Sequence, residues 1–334
     1  MRRLRWGVLG AAKIAVEKVI PAMQGGACSE VVAIASRDEG RARTTAAQLG
    51  IPTAHGSYEA LINDPDVDAI YNPLPNHLHL PWTKAAAEAG KHVLCEKPIG
   101  LNAVEARELL AVRDRTGVTI QEAFMVWTHP QWERAAELCR SGHLGAVHAY
   151  VGMFCYYNDD PANIRNVADW GGGGLMDIGC YLITTSRLIF GEEPTRVLAL
   201  TRTDPATGVD VVTSMTLDFP LGQAIGMCST RAADYQRVQI FGATRRLEIE
   251  IPFNAPNDRP CRLWTDDGRD LFGGGLETET FPTCDQYRIQ GDRLSRAILD
   301  GTPQPYPLEM SVQNMVIIDR MFRSAEFGHW ELIG

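Results

Sequence analysis

Through the first 123 residues, short apolar runs of strand length alternate with helical stretches, and this alternation limits the fold more than any single motif. Residues 4–12 (L-R-W-G-V-L-G-A-A), Val31–Ala35, Val67–Tyr71, Val93–Leu94 and Val118–Ala123 read as strands. Lys13–Gln24, Arg41–Leu49 and Leu80–Ala89 read as helices, and Asn102 with Glu105 makes a capping-box start for another that ends near Arg115. Strands alternating with helices of roughly 10–15 residues predict a doubly wound parallel sheet. Ligands bind such sheets outside the carboxyl ends of the strands.

From Val147 the period changes. Val147–Tyr157, Thr195–Thr203, Val209–Phe219, Gln223–Arg231 and Val238–Ile251 are long, alternating and rich in β-branched residues. They predict a mostly antiparallel, open-faced sheet. Helices are expected at Pro130–Cys139, Met176–Phe190, Tyr287–Leu299 and Leu308–Ala325. A chain of 334 residues exceeds one ordinary core. The expected architecture is an α/β Rossmann domain over 1–123, followed by an α+β substrate and oligomerisation domain over 124–334 with helices on one face of its sheet. The other face offers a surface for a homodimer or homotetramer.

Composition excludes several partners. The net charge is −9, with no basic cluster beyond Arg2, Arg3 and Arg5, which argues against nucleic acid and anionic membranes. No stretch approaches the ~20 apolar residues of a bilayer span. The apolar run after Arg5 merges into a glycine turn rather than an export cleavage site. The eight cysteines are scattered without a C-x-x-C pair, as in a reducing, cytoplasmic setting. His77 and His79 have no Cys or carboxylate nearby to complete a ligand set, so no metal is expected.

Four stretches carry chemistry. The first strand ends in Gly10-x-Ala12-x-x-Ala15 before a helix, a degraded form of the dinucleotide turn that sets phosphate against a helix N-terminus. Ser36-Arg37 ends the second strand where NAD enzymes place an acid for the ribose hydroxyls, and Asp38 falls two residues later. A hydroxyl beside a guanidinium suits a 2′-phosphate, so NADP is expected, with NAD as the alternative. The third stretch, H-V-L-C-E-K-P-I-G (92–100), ends a buried strand in Glu96, Lys97 and Pro98. Pro98 fixes φ and holds Lys97 at one angle. Read alone, the tripeptide is better explained as a surface Glu-Lys pair before a Pro-capped turn.

The fourth stretch is Gly171-Gly-Gly-Gly174-Leu-Met-Asp177-Ile-Gly-Cys-Tyr181. Asp177 and Tyr181 lie four apart on one helical face. Four glycines exceed what a helix start needs, so backbone is expected to approach something flat or charged. Arg165 upstream is either an anchor for cofactor or substrate or an ordinary loop arginine.

These motifs in this order resemble the glucose–fructose oxidoreductase, inositol dehydrogenase and rhizopine catabolism family (Gfo/Idh/MocA). The resemblance rests also on N-P-L-P-N-H-L-H, A-A-E-A-G-K-H-V-L-C-E-K-P, E-A-F-M-x-x-x-H-P-Q and the closing P-x-P-L-E helix. Tyr181 places the chain nearest the tyrosine-bearing branch, which resembles aldose or xylose 1-dehydrogenases and dimeric dihydrodiol dehydrogenase. The family implies an oxidoreductase moving hydride between a sugar or cyclic polyol carbinol and NADP. Lys97, Tyr181 and Asp177 are the implied catalytic residues. Tyr181 takes the hydroxyl proton, helped by the ammonium of Lys97, because a free phenol with a pKa near ~10 is a poor base. Glu96 orients Lys97, and Asp177 positions substrate hydroxyls.

The implied cofactor contacts begin at Gly10, Ala11, Ala12, Lys13 and Ile14, then Ser36 and Arg37. They continue through Pro73, Leu74, Asn76 and His79 to Glu96, Lys97 and Arg165. Two departures stand out: Val126-Trp127 replaces the family's Tyr-Arg, giving an aromatic wall, and Asn72 precedes Pro73 with an expected effect on nicotinamide contacts. Competing readings are a trans-dihydrodiol dehydrogenase, a sugar–sugar oxidoreductase with tightly held NADP, and a non-catalytic dinucleotide-binding regulator. Intact Lys97 and Tyr181 argue against the regulator.

Overall fold

The computed structural model describes residues 2–334 and divides into two compact units, Met1–Thr128 with Asp285–Met315, and His129–Cys284 with Val316–Gly334. Residues 285–315 thus belong with the first unit, whereas the sequence pattern groups them with the second.

The first unit is built on a six-stranded sheet: β1 (Leu4–Leu9), β2 (Ser29–Ala35), β3 (Thr53–His55), β4 (Ala69–Asn72), β5 (His92–Cys95) and β6 (Ile120–Glu122). The strand order is β3-β2-β1-β4-β5-β6, every pair parallel. Trp6, Val8, Ile34, Ile70, Tyr71 and Leu94 are fully buried or nearly so, as strands covered on both faces require. Only β3 escapes the sequence pattern; its three residues are half-exposed or exposed at the sheet edge. The helix Gln286–Asp300 returns to this unit and is fastened where Trp6 Nε1 donates to Ser295 Oγ at 2.9 Å. Asp292 on the same helix accepts from the Ala27 and Cys28 amides at 2.9 and 2.8 Å.

The first helix starts at Lys13, as the pattern predicts, and opens into a wide π turn over Ala15–Val19 before an α segment over Ile20–Gln24. Pro21 offers no N–H to the carbonyl four residues back, which accounts for an open turn there.

The second unit carries a nine-stranded sheet: β7 (Val147–Tyr157), β8 (Arg196–Thr203), β9 (Asp210–Phe219), β10 (Gly222–Ser229), β11 (Arg231–Gly242), β12 (Arg246–Ile249), β13 (Cys261–Asp266), β14 (Leu276–Phe281) and β15 (Glu331–Leu332). Its order is β14-β13-β12-β11-β7-β10-β9-β8-β15. Only β7 and β10 pair in parallel; the other pairs are antiparallel. The run Val238–Ile251, expected as one strand, is a hairpin of β11 and β12 turning at residues 243–245. Alternation survives a tight turn, so the period alone did not reveal the break.

Helices cover one face of this sheet. The helix Pro130–Arg140 starts at His129, whose Nδ1 accepts from the Gln131 amide at 3.2 Å, with Pro130 in the first position. The H-P-Q motif is therefore a helix start. Trp132, Phe154, Tyr181 and Phe253 form an aromatic core with ring centroids 4.8–6.2 Å apart. The opposite face leaves Leu200 68% and Ile225 49% exposed. Among the described residues no helix is long and apolar enough to cross a membrane.

Candidate active site

In the first unit, β1 runs into Gly10, whose φ of +79° admits no ordinary side chain. The Gly10 amide donates to Ala35 at the end of β2 at 2.7 Å, so the two strand ends are joined. Helices leave their first amides without internal partners, and after Gly10 these fall on the turn Ala11–Ile14. Arg41, not among the expected residues, returns its guanidinium to the Ala11 carbonyl at 2.9 Å. The signal for it was a basic residue one turn into the helix after β2.

Ser36 is buried, and its Oγ accepts from the Asp38 amide at 3.2 Å. Asp38 is itself the N-cap of Glu39–Leu49, accepting from the Arg41 amide at 3.1 Å. The nearest acid is therefore committed to a helix start, and the exposed Arg37 stands at the strand end. The pKa of His77 is lowered first by burial and then by the charge of Arg37, with Glu105 opposing. Two of the expected cofactor segments, 36–37 and the 73–79 loop, belong to the same unit.

The 73–79 loop is bound internally. The Asn72 side chain donates to the His79 carbonyl and Thr83 Oγ1 and accepts from the Leu74 amide. Asn72 is fully buried and braces the loop from within. His79 is also fully buried, with Nδ1 2.7 Å from the Pro98 carbonyl and Nε2 2.7 Å from that of Leu74. Burial outweighs both carbonyls and pushes the imidazole down to about 4, so a neutral ring donates to one of them. Its nitrogens are directed at protein rather than at a bound molecule.

Lys97 is half-buried, with a cis peptide bond to Pro98. Its surroundings are fixed on several sides. Glu96 Oε1 accepts from the buried Tyr71 hydroxyl at 2.7 Å, and Oε2 lies 3.3 Å from the Lys97 amide. Burial, then the charge of Glu96, holds Tyr71 well above the usual phenol range, so it remains a donor. On the far side of Pro98, the Ile99 amide donates to Glu122 Oε1 at 2.8 Å. Glu122 is fully buried, and sequence reasoning missed it as well as Tyr71. A carboxylate ending a short apolar strand of a parallel sheet was the available signal. Trp127 packs edge-on to Tyr306, with ring centroids 4.9 Å apart.

In the second unit, Asp177 and Tyr181 stand on the helix that follows the glycine run. Its first turn, Leu175–Gly179, is π-helical and passes into an α-helix over Cys180–Phe190. Such turns recur at functional sites. Asp177 Oδ2 accepts from Arg165 Nε at 2.9 Å and from the Tyr156 hydroxyl at 2.6 Å. Tyr156 was not foreseen. The Tyr181 ring lies against Phe154 at 5.8 Å and Phe253 at 5.6 Å.

The glycine run has a different cause from the one expected. A Cβ on Gly173 would lie 2.1 Å from Asp210 Oδ1, and one on Gly172 would lie 2.6 Å from the Arg165 carbonyl. Gly173 also has φ +112°. The charged group that comes close is the protein's own: Asp210 Oδ2 accepts from the Leu175 amide at 2.7 Å and from Thr213 Oγ1 at 2.8 Å. Burial raises the Asp210 carboxyl against these donors.

Comparison with known proteins agrees with this arrangement. Residues 4–124 match the NAD-binding Rossmann fold of the GFO_IDH_MocA oxidoreductase family, and residues 132–248 match the GFO/IDH/MocA C-terminal domain. The chain is 46% identical to an uncharacterised oxidoreductase of Rhizobium meliloti over the full length of both chains. It is 42% identical to D-xylose 1-dehydrogenase (NADP(+)) 2 of Haloferax volcanii, over 97% of this chain and 98% of that one. Among solved structures, aldose-aldose oxidoreductase from Caulobacter crescentus, complexed with glycerol, superposes with a TM-score of 0.91 at 27% identity, covering 99% of this chain and all of that one. With both domains matched and relatives aligned from end to end, the chain belongs to the Gfo/Idh/MocA family of oxidoreductases, enzymes with a nicotinamide-dinucleotide-binding Rossmann domain.

Proposed function

We propose that the protein is an NADP-dependent dehydrogenase that oxidises an aldose at C1. The observation that carries this reading is the match with D-xylose 1-dehydrogenase (NADP(+)) over nearly the whole chain. Lys97 and Tyr181, the catalytic pair implied by the tyrosine-bearing branch, are both present.

The residues of the first unit fit a phosphorylated dinucleotide. The turn Gly10–Ile14 offers backbone amides to the pyrophosphate at a helix start. Asp38 is held in a helix cap, which leaves Ser36 and Arg37 for a 2′-phosphate, with Arg41 one turn further. Pro73, Leu74 and Asn76 present the neighbouring loop, and His79 supports it from beneath. A dinucleotide held by these residues would supply the hydride acceptor for oxidation at the sugar C1.

The protein groups handle the proton and the geometry. In the roles that the tyrosine-bearing branch implies, Tyr181 removes the C1 hydroxyl proton, Lys97 steadies the substrate oxygen, and Asp177 holds a substrate hydroxyl. The products are the lactone and the reduced dinucleotide. Glu96 acts on Lys97 through the backbone amide it faces.

Lys97→Ala tests this assignment. Turnover of an aldose should fall by roughly 10³-fold or more, while NADP affinity measured by fluorescence stays within a few-fold. Retained turnover would remove Lys97 from the chemistry. Loss of NADP binding alone would make it a cofactor residue only.

A further inference from the structure

Strand β7 packs against the helix of Asp177 and Tyr181 through three of its side chains. Tyr150 Oη meets Thr185 Oγ1 at 2.7 Å, Phe154 edges the Tyr181 ring, and Tyr156 donates to Asp177. Residues two apart on a strand are spaced by roughly 6.6–6.8 Å, and four residues of helix rise by about 6 Å. The strand therefore holds the carboxylate and the phenol ring of the helix with consecutive inward side chains, Tyr156 and Phe154.

The two contacts differ in kind. Phe154 offers Tyr181 only a ring edge. Tyr156 gives Asp177 a charge-assisted hydrogen bond of 2.6 Å on the same oxygen that Arg165 reaches. Burial, followed by the Asp177 charge, raises the Tyr156 phenol, so it keeps its proton and serves as a donor rather than a second base. Arg165 pairs with the same carboxylate through a side chain that is 42% exposed, so solvent screens that ion pair. A carboxylate one helical step from the base suits the hydroxyl next to the carbinol being oxidised. Its aim depends on what holds Oδ2.

Resting on the aldose reading above, we propose that Tyr156 is a specificity-determining positioning residue. By fixing the Asp177 carboxylate, it makes turnover depend on the substrate hydroxyl vicinal to the reacting carbinol.

The test compares an aldose with its 2-deoxy counterpart in the unsubstituted protein and in Tyr156→Phe. Each kcat/KM is measured under saturating NADP, with NADP affinity followed separately by fluorescence. A site built to hydrogen-bond a hydroxyl rejects the analogue lacking it by a large factor. The unsubstituted protein should prefer the aldose by roughly 10²-fold. In Tyr156→Phe the preference should shrink at least about tenfold, through loss of the aldose rate, with the 2-deoxy rate and NADP affinity within about threefold. A merely structural role would lower both sugars equally, and that result overturns the inference. An unchanged preference overturns it too. If the unsubstituted protein reduces NADP with neither sugar, the aldose reading fails and takes this inference with it.

Discussion

At the residue scale, the distinction between a motif and its use is sharpest at the end of β2. The sequence points to Ser36 and Arg37 as the proposed 2′-phosphate site because an acid is missing there. What the sequence did not show is why Asp38, two residues on, is no substitute: its carboxylate caps the following helix. Arg37→Ala should therefore weaken NADP by roughly 10–100-fold and leave NAD within a few-fold, since charge-assisted phosphate contacts contribute about 1.5–3 kcal/mol. Titration of each dinucleotide checks this, and equal weakening would detach Arg37 from the 2′-phosphate. Tyr71 and Glu122 mark the limit of sequence reading at this scale. Both brace the Glu96–Ile99 stretch through contacts 23 to 25 residues apart in the chain, which no local pattern reports.

At the element scale, most strands and helices were visible through their periods, but β3, β13, β14 and β15 were not, and neither was the reason for the glycine run. Gly173 exists for Asp210, a partner 37 residues later on the edge of β9, so the run looked like room for a ligand. Gly173→Ala should cost about 3 kcal/mol or more, from a positive φ and a Cβ driven into a carboxylate. Melting should fall by roughly 5–10 °C, and combination with Asp210→Ala should be less than additive because the two share one contact. Additive losses would contradict the link.

Two buried histidines at element ends make a pH prediction. His79 and His129 are both pushed by burial from 6.5 to about 4. Between these values the unfolded chain binds protons that the folded chain does not. Stability is therefore fully present above pH 6.5 and falls as the pH drops toward 4, by at most roughly 3 kcal/mol per histidine. Denaturant midpoints across that range give the slope. Replacing His79 by Gln should flatten it, and an unchanged slope would assign the acid sensitivity elsewhere.

At the scale of the whole molecule, the family was legible because its motifs are spread along the entire chain. The assignment of 285–315 to the first unit was not, because a helix such as Gln286–Asp300 has the same period whichever unit it covers. The second sheet's uncovered face carries Leu198, Leu200, Ile225 and Met227, and a second copy of the chain is the proposed cover. Ile225→Asp with Leu200→Asp should shift the protein to a smaller species in sedimentation while leaving NADP affinity intact. An unshifted species would remove this face from any assembly.

The central claim concerns where one hydrogen goes. Incubating the protein with NADP and an aldose deuterated at C1, then analysing the reduced dinucleotide by mass and NMR, follows that hydrogen directly. One deuterium should appear at C4 of the nicotinamide, with a lactone as the carbon product. Reduced dinucleotide without deuterium, or none formed with any aldose, would contradict it.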